Sequence, residues 1–324
     1  MLILNAEETR SLLSMGDCIE AMEHAMKAAS GRSVLIPPRI LFQLQDDSGF
    51  FAVMPGASAE LKTYGAKLVG YHAANAGAGR PPIQGFVTLF DHETGAPLAI
   101  IDGNVITNVR TAAASGLATR CLARADASSC GIFGAGALAD VHIEAMCQVR
   151  PIQSCVIWAR NFEKARALAE RRSKAGGIEC LATRDPAEAG ACDVICTTTA
   201  SPAPVLHGRW VRPGSHINLV GAHTLKNREG DSELIIKSEV YVDLIESTLN
   251  EGGDIMIPVE EGAIGRDHIV GEIGQLLNGE IPGRKNDRSI TVYNSLGITS
   301  QDLYAAIFVL KQALQRGVGT QVDF

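Results

Sequence analysis

The sequence predicts an α/β protein of two domains, a doubly wound parallel sheet beside an α+β domain, and three observations carry that reading. From residue 128 to 242, short apolar runs alternate with amphipathic helical stretches through short connections, the pattern of a parallel sheet covered by helices on both faces. From residue 37 to 101 the texture is instead one of short β-like runs separated by turns rich in Gly, Pro, Asp and Asn. The 324 residues, 46% apolar with 33 Gly, suffice for two cores, since a domain takes roughly 100–200 residues.

Each element follows from its local pattern. Residues 7–30 read as one helix, with Leu12, Leu13, Ile19, Met22 and Met26 on one side and Gly31 as its stop. The β-like runs are 39–44, 49–54, 66–71, 85–90 and 97–101, and Asp91 to Gly95 reads as a hairpin connection in a meander. Residues 106–124 form a helix of small side chains, including Ala112, Ala113, Ala114, Gly116 and Ala118. Strands are then expected at 128–133, 154–158, 178–182, 193–198, 217–220 and 239–242, with helices up to Gln148 and over 162–175. The helix 300–316 is expected to return to the N-terminal domain, so the division is 1–115 with 300–324 against 116–299.

Composition excludes several function classes. A net charge of −7 with mixed signs offers no basic face for nucleic acid and no polybasic stretch for anionic membrane. The N-terminus reads as neither a signal peptide nor a membrane span, which places the protein in the cytoplasm. Eight Cys lie mostly in apolar stretches without C-x-x-C or zinc spacing, and read as buried thiols with no metal site.

The run from Cys130 to Ala139 is a buried strand, a glycine turn and a helix start, with Gly134, Gly136 and Ala139 in the pattern G-x-G-x-x-A. Free N–H groups at the helix start and the helix dipole favour an anion, and Gly136 lacks a Cβ that would keep a pyrophosphate away. A dinucleotide on a Rossmann-type fold is the natural occupant. Its contacts are assigned to Thr111, Gly134, Gly136, Ala137, Leu138, Ala159, Arg160, Asn161, Thr198 and Val220. The second strand ends Trp158-Ala159-Arg160-Asn161 without the acid that would bind a ribose 2′-hydroxyl. Arg160 can clamp a 2′-phosphate there, so NADP(H) is preferred, with NAD(H) left open.

Three cations stand in unusual neighbourhoods: Arg39 after Pro37-Pro38, Lys67 in an apolar strand, and Arg110 in an alanine-rich helix. With Val53-Met54-Pro55, the run from Asp102 to Thr107, Arg110-Thr111-Ala112-Ala113, the glycine turn and the run from Val211 to Asn218, the chain resembles the ornithine cyclodeaminase/mu-crystallin family over nearly its whole length. That resemblance implies a homodimer whose β-rich domain makes the dimer contact and a substrate pocket, facing the dinucleotide domain across a cleft. It also implies that Arg39, Lys67 and Arg110 hold a substrate carboxylate, and that Lys67 acts in catalysis.

One position departs from the cyclodeaminase pattern. Where those enzymes carry an aspartate that handles ammonia, the run Val220-Gly221-Ala222-His223 has a histidine. An acceptor of ammonium is thus replaced by a group that can donate a proton near neutrality. The resemblance is therefore closest to the family's ketimine reductases, which reduce Δ1-pyrroline-2-carboxylate or Δ1-piperideine-2-carboxylate to L-proline or L-pipecolate; His223 is the candidate proton donor, or else a loop histidine that shapes the cofactor pocket without proton transfer. The alternatives are a cyclodeaminase or amino-acid dehydrogenase of the same family, or a binding protein that holds a small carboxylate ligand without turnover. Among other polar residues, His142 reads as packed rather than catalytic, and Glu251 with Asp254 as a turn. His72, Asn75, Gly77 and Gly79 read as a loop, and nothing local demands a role for Gln84.

Overall fold

The computed structural model describes residues 1–72, 74–75 and 79–323, so Gly77 of the loop after the lysine strand lies outside them. The chain forms two compact units, Met1–Arg110 with Gly297–Phe324, and Thr111–Leu296. The boundary falls within one helix, Gly103–Leu122.

The first unit opens on a strand the pattern missed, Leu2–Leu4, which is too short to show a period and pairs parallel to Pro97–Asp102. The helix expected over 7–30 is two helices, Ala6–Leu12 and Met15–Ser30. Ser14 breaks it, because its side chain caps the second helix by accepting from the Asp17 N–H at 3.1 Å. The strands Gly49–Ser58, Thr63–His72, Ile83–Asp91 and Pro97–Asp102 form an antiparallel meander, longer at most ends than the apolar runs suggest. Asp91 closes its last hairpin by accepting from the Thr94 N–H at 2.8 Å.

Strand alternation sorts this sheet into two faces. Met54, Lys67 and Val87 are register partners on the inner face, which packs against the helix Thr299–Arg316, itself laid along Met15–Ser30. The outer face carries Phe42 against Phe51, with ring centroids 5.5 Å apart, stacked Tyr64 and Phe90, and the partly exposed Leu68 and Phe86.

The second unit is a Rossmann-type sheet in which every pairing is parallel. Its strand order is Glu179–Thr183, Ser154–Trp158, Ser129–Phe133, Val194–Thr197, His216–Leu219, Ile290–Asn294, Ser238–Val242, Ile269–Glu272. Fully buried Phe133, Ile195, Ile217, Leu219, Val240 and Val292 fill one core beneath it. The strands Ile269–Glu272 and Ile290–Asn294 escaped the sequence reading. The latter is fully buried yet carries Thr291 and Asn294, so it shows no apolar run. The order reverses between Ser129–Phe133 and Val194–Thr197, and ligands of such sheets bind outside the carboxyl ends at that switch point.

The cysteines are free thiols, but Cys147 is exposed on its helix and Cys121 half-buried, so not all are interior. Cys180, Cys155 and Cys130 stand side by side in register on neighbouring strands. Among the described residues no group of His, Cys, Asp and Glu is arranged to hold a metal, and no helix is long and apolar enough to cross a membrane.

Candidate functional site

In the first unit the three sequence-predicted cations converge on the start of the helix Thr299–Arg316. Lys67 Nζ lies 2.8 Å from Asp302 Oδ2, and Arg110 Nε lies 3.0 Å from Asp302 Oδ1. Arg110 Nη1 also donates to Gln301 Oε1 at 2.6 Å, and Arg39 Nη2 donates to the Gly297 carbonyl at 3.2 Å. Gly297 has φ +76°, and a Cβ there would stand 2.4 Å from Arg110 Nη1, so glycine is required for the guanidinium to sit where it does.

The sequence explains the placement. Residue 67 points inward by alternation, between Met54 and Val87, and Arg110 lies in mid-helix just ahead of the buried run Ala112, Ala113 and Ala114. Both charges are therefore almost wholly buried, at 3% and 5% exposure, and Asp302 is fully buried. Buried charge is tolerated only when paired. Burial pulls the Lys67 ammonium down to about 8, with Asp302 opposing and Arg110 reinforcing that fall. For Asp302, burial alone would raise the carboxyl, but Arg110 and Lys67 outweigh it and hold it below the usual carboxylate range. One carboxylate facing two buried cations, Lys67 and Arg110, leaves an excess of positive charge at this point.

Asp302 and Gln301 were missed by the sequence reading. They belong to a helix recognised only by its apolar period, and nothing local distinguishes a carboxylate in a first helical turn from the common dipole-favoured kind.

In the second unit the glycine turn has the form its pattern predicts. Gly134 adopts φ +115°, and a Cβ there would meet Thr198 Oγ1 at 2.8 Å. Gly136 is the N-cap of the helix Ala137–Val149 and makes no side-chain cap bond, and a Cβ on it would meet no protein atom within 4 Å. An uncapped helix start with open space over its glycine fits a pyrophosphate. Ala137 and Leu138 supply the first helical turn, and Thr198 closes the turn by donating from N and Oγ1 to the Phe133 carbonyl at 2.8 and 3.1 Å.

Ala159, Arg160 and Asn161 follow the second strand, with Arg160 exposed and Asn161 capping the helix Phe162–Ala175 through the Lys164 N–H at 3.2 Å. Thr111 is buried, at the start of this unit, and the Val220 N–H donates to the Thr197 carbonyl at 3.1 Å. His223 is exposed three residues further on.

The segment bearing His223 is held by a carboxylate the sequence reading did not single out. Glu229, fully buried, accepts from the Thr199 N–H at 2.7 Å, Thr199 Oγ1 at 2.6 Å, Thr197 Oγ1 at 2.7 Å and the Gly221 N–H at 2.5 Å. It thereby ties together the chain beyond two strands of the sheet. Asp254 Oδ1 accepts from the N–H groups of Glu229 and Gly230 at 2.7 and 2.9 Å.

The expectation of a turn at Glu251 and Asp254 is corrected: Glu251 ends the helix Ile245–Glu251 and Asp254 lies in the helix Gly253–Glu260. Burial, then the Glu229 charge, pushes the Asp254 carboxyl up to about 7. Glu229 is raised by its own burial, opposed by its four donors. His142 is packed, between Ser115 Oγ at 3.1 Å and the Leu138 carbonyl at 2.7 Å, and burial lowers it to about 4. Gln84 is exposed on its strand.

Comparison with known proteins places this geometry among relatives. The model of the ornithine cyclodeaminase/mu-crystallin family matches residues 1–317. A Δ1-pyrroline-2-carboxylate reductase of Bacillus cereus is 34% identical over 326 residues, covering all of both chains. The structure of Thermococcus litoralis Δ1-pyrroline-2-carboxylate reductase in complex with NADH and L-proline superposes with a TM-score of 0.96 at 37% identity, covering 99% of this chain and 100% of that one. An archaeal alanine dehydrogenase dimer with bound NAD superposes with a TM-score of 0.94 at 32% identity, covering 100% of this chain and 99% of that one.

Proposed function

The chain belongs to the ornithine cyclodeaminase/mu-crystallin family, and from that premise we propose that it reduces a cyclic ketimine carboxylate, Δ1-pyrroline-2-carboxylate or its six-membered homologue Δ1-piperideine-2-carboxylate, to L-proline or L-pipecolate. The observation that carries the reading is the pairing of two buried cations, Lys67 and Arg110, with the single carboxylate of Asp302, beside Arg39 on the Gly297 carbonyl. A substrate carboxylate supplies the missing anion, and guanidinium forks bind it with paired N–H bonds. The reductase identity of the Bacillus cereus and Thermococcus litoralis relatives supports the same substrate class.

In the proposed mechanism Arg39 and Arg110 fix the carboxylate, and Lys67, still charged at neutral pH, completes its neutralisation. Fixing that end orients the C=N carbon and removes much of the entropic barrier to transfer. When bound at the turn of Gly134 and Gly136, a reduced nicotinamide supplies the hydride. His223 donates the proton that the ring nitrogen needs, as a general acid.

For the cofactor we propose NADP(H) in preference to NAD(H). The support is Arg160 beyond the second strand and the lack of an acid on Trp158, Ala159, Arg160 or Asn161. A homodimer joined through the outer sheet face is part of the same proposal. Phe42, Phe51, Leu68, Phe86 and Phe90 make that face apolar over several strands, and such patches mark association sites. The acidic charge and eight free thiols fit a reducing cytoplasm.

The deciding experiment follows absorbance and ammonia with NADPH and Δ1-pyrroline-2-carboxylate, and separately with NAD and ornithine. Cofactor oxidation in the first mixture without ammonia in the second is the expected result. Ammonia from ornithine without net cofactor change would make the protein a cyclodeaminase, and tight carboxylate binding with no turnover on any imine would make it a binding protein.

A further inference from the structure

Beyond the second strand, Arg160 is not the only guanidinium without an acid. The strands Ser154–Trp158 and Glu179–Thr183 are parallel neighbours with Trp158 opposite Thr183. Arg160 therefore lies two residues beyond one strand end and Arg184 one residue beyond the adjacent end. Arg184 Cζ stands 3.9 Å from the centroid of the Phe162 ring, and Phe162 follows directly on the Arg160-Asn161 loop. The ring thus links the two exposed loops through Arg184.

The acids nearby are already engaged. Glu163 pairs with Arg166 at 2.5 Å, Asp140 pairs with Arg171 at 3.2 Å and with Arg172, and Asp185 caps its helix through the Ala187 N–H at 3.0 Å. Among the described residues neither Arg160 nor Arg184 is in an ion pair. Two exposed guanidinium groups beyond adjacent strand ends, neither in an ion pair, offer a dianionic group two cations at once.

We infer that Arg184, seated on Phe162, is a second arm of the 2′-phosphate site and sets the preference for NADP(H) jointly with Arg160. This inference rests on the NADP(H) reading above. Stacking engages the face of the guanidinium and leaves its edge, with five N–H donors, free for phosphate oxygens. It also holds a long side chain in place before the ligand arrives, which lowers the ordering cost of binding. The same position could instead serve the adenine ring, which NADPH and NADH share. That alternative predicts equal effects on both cofactors.

The test is equilibrium binding to the full-length protein by calorimetry, using NADPH, NADH, adenosine 2′,5′-bisphosphate and 5′-AMP. The variants are Arg184→Ala, Arg160→Ala and Phe162→Leu, each checked for an unchanged Tm. Arg184→Ala is expected to weaken NADPH and the bisphosphate by about tenfold or more, the scale of one charge-assisted pair, and NADH and 5′-AMP less than about twofold. Phe162→Leu should give a smaller loss with the same selectivity.

Equal weakening of phosphorylated and unphosphorylated ligands by Arg184→Ala, or no weakening of either, would overturn the inference. Arg160→Ala separates it from its parent reading. If the wild-type protein prefers NADPH and only Arg160→Ala abolishes the preference, the assignment of Arg184 fails and the NADP(H) reading stands. If the wild-type protein shows no preference for NADPH, both fail.

Discussion

Asp302 stands between Lys67 and Arg110, 2.8 Å from one and 3.0 Å from the other, a single buried carboxylate that holds two buried cations in place. Removing one member of such a group leaves uncompensated charge in a dry site, which costs about 3–5 kcal/mol. Asp302→Asn should therefore lower the stability to urea by that order. It should also push the Lys67 ammonium below its present value of about 8, since the opposing carboxylate is gone while burial and Arg110 remain.

The same titration sets a pH limit on binding. Lys67 is charged below about 8 and neutral above it, so its attraction for a substrate carboxylate is present on the acid side and is lost as pH rises. Affinity for pyrrole-2-carboxylate, a ring carboxylate that cannot be reduced, should fall above that pH, and Asp302→Asn should move the fall to lower pH. An affinity independent of pH between 6 and 10, as about two units either side of the transition, would remove Lys67 from the carboxylate site.

Gly297→Ala places a methyl group 2.4 Å from Arg110 Nη1 at a backbone φ of +76°. Arg110 cannot yield easily, because Gln301 and Asp302 both grip it. Strain at such a position is worth about 1–3 kcal/mol. A rise in KM for the imino acid, with the KM for cofactor unchanged, is the expected signature. An equal effect on both would point to general loosening.

Gly136→Ala behaves differently. The added Cβ meets no protein atom and the backbone there is extended, so the protein should melt as the parent does. Its cofactor should nevertheless be excluded. Thermal shift with 1 mM NADPH separates the two, since a ligand at ~100 times its Kd stabilises by about 2.7 kcal/mol. A normal shift in Gly136→Ala would show that the turn does not carry the pyrophosphate.

Asp254 couples stability to pH in the opposite sense to an ordinary surface carboxylate. Its carboxyl is raised to about 7, so between pH 4 and 7, roughly the interval from the unfolded to the folded value, the native protein binds a proton that the unfolded chain has released. Stability from this group is full at the acid end and is lost as pH rises through 7. Asp254→Asn keeps an acceptor for the Glu229 and Gly230 N–H groups without the charge. Its unfolding midpoint in urea should fall less than that of the parent between pH 5 and 8, an interval chosen to span the transition. Parallel curves would mean that Asp254 is not protonated in the native state.

Local pattern was enough for the glycine turn, the helix Phe162–Ala175 and the strand Ser154–Trp158, because short-range sterics and alternation act within a few residues. It was also enough to mark Lys67 and Arg110 as out of keeping with apolar surroundings. Strands that are buried yet polar, such as Ile290–Asn294, carry no such local mark.

What the sequence determined by itself is therefore the chemistry available: a turn for an anion, three cations, and a histidine at position 223. Only the tertiary structure decided how those charges are held. Asp302 is separated from Arg110 by 192 positions along the chain and Glu229 from Thr197 by 32, and both are ordinary carboxylates until folding removes water from around them. Desolvation is a property of the packed environment rather than of neighbouring residues. The partners that keep a buried charge charged, or protonate it, had to be found in space.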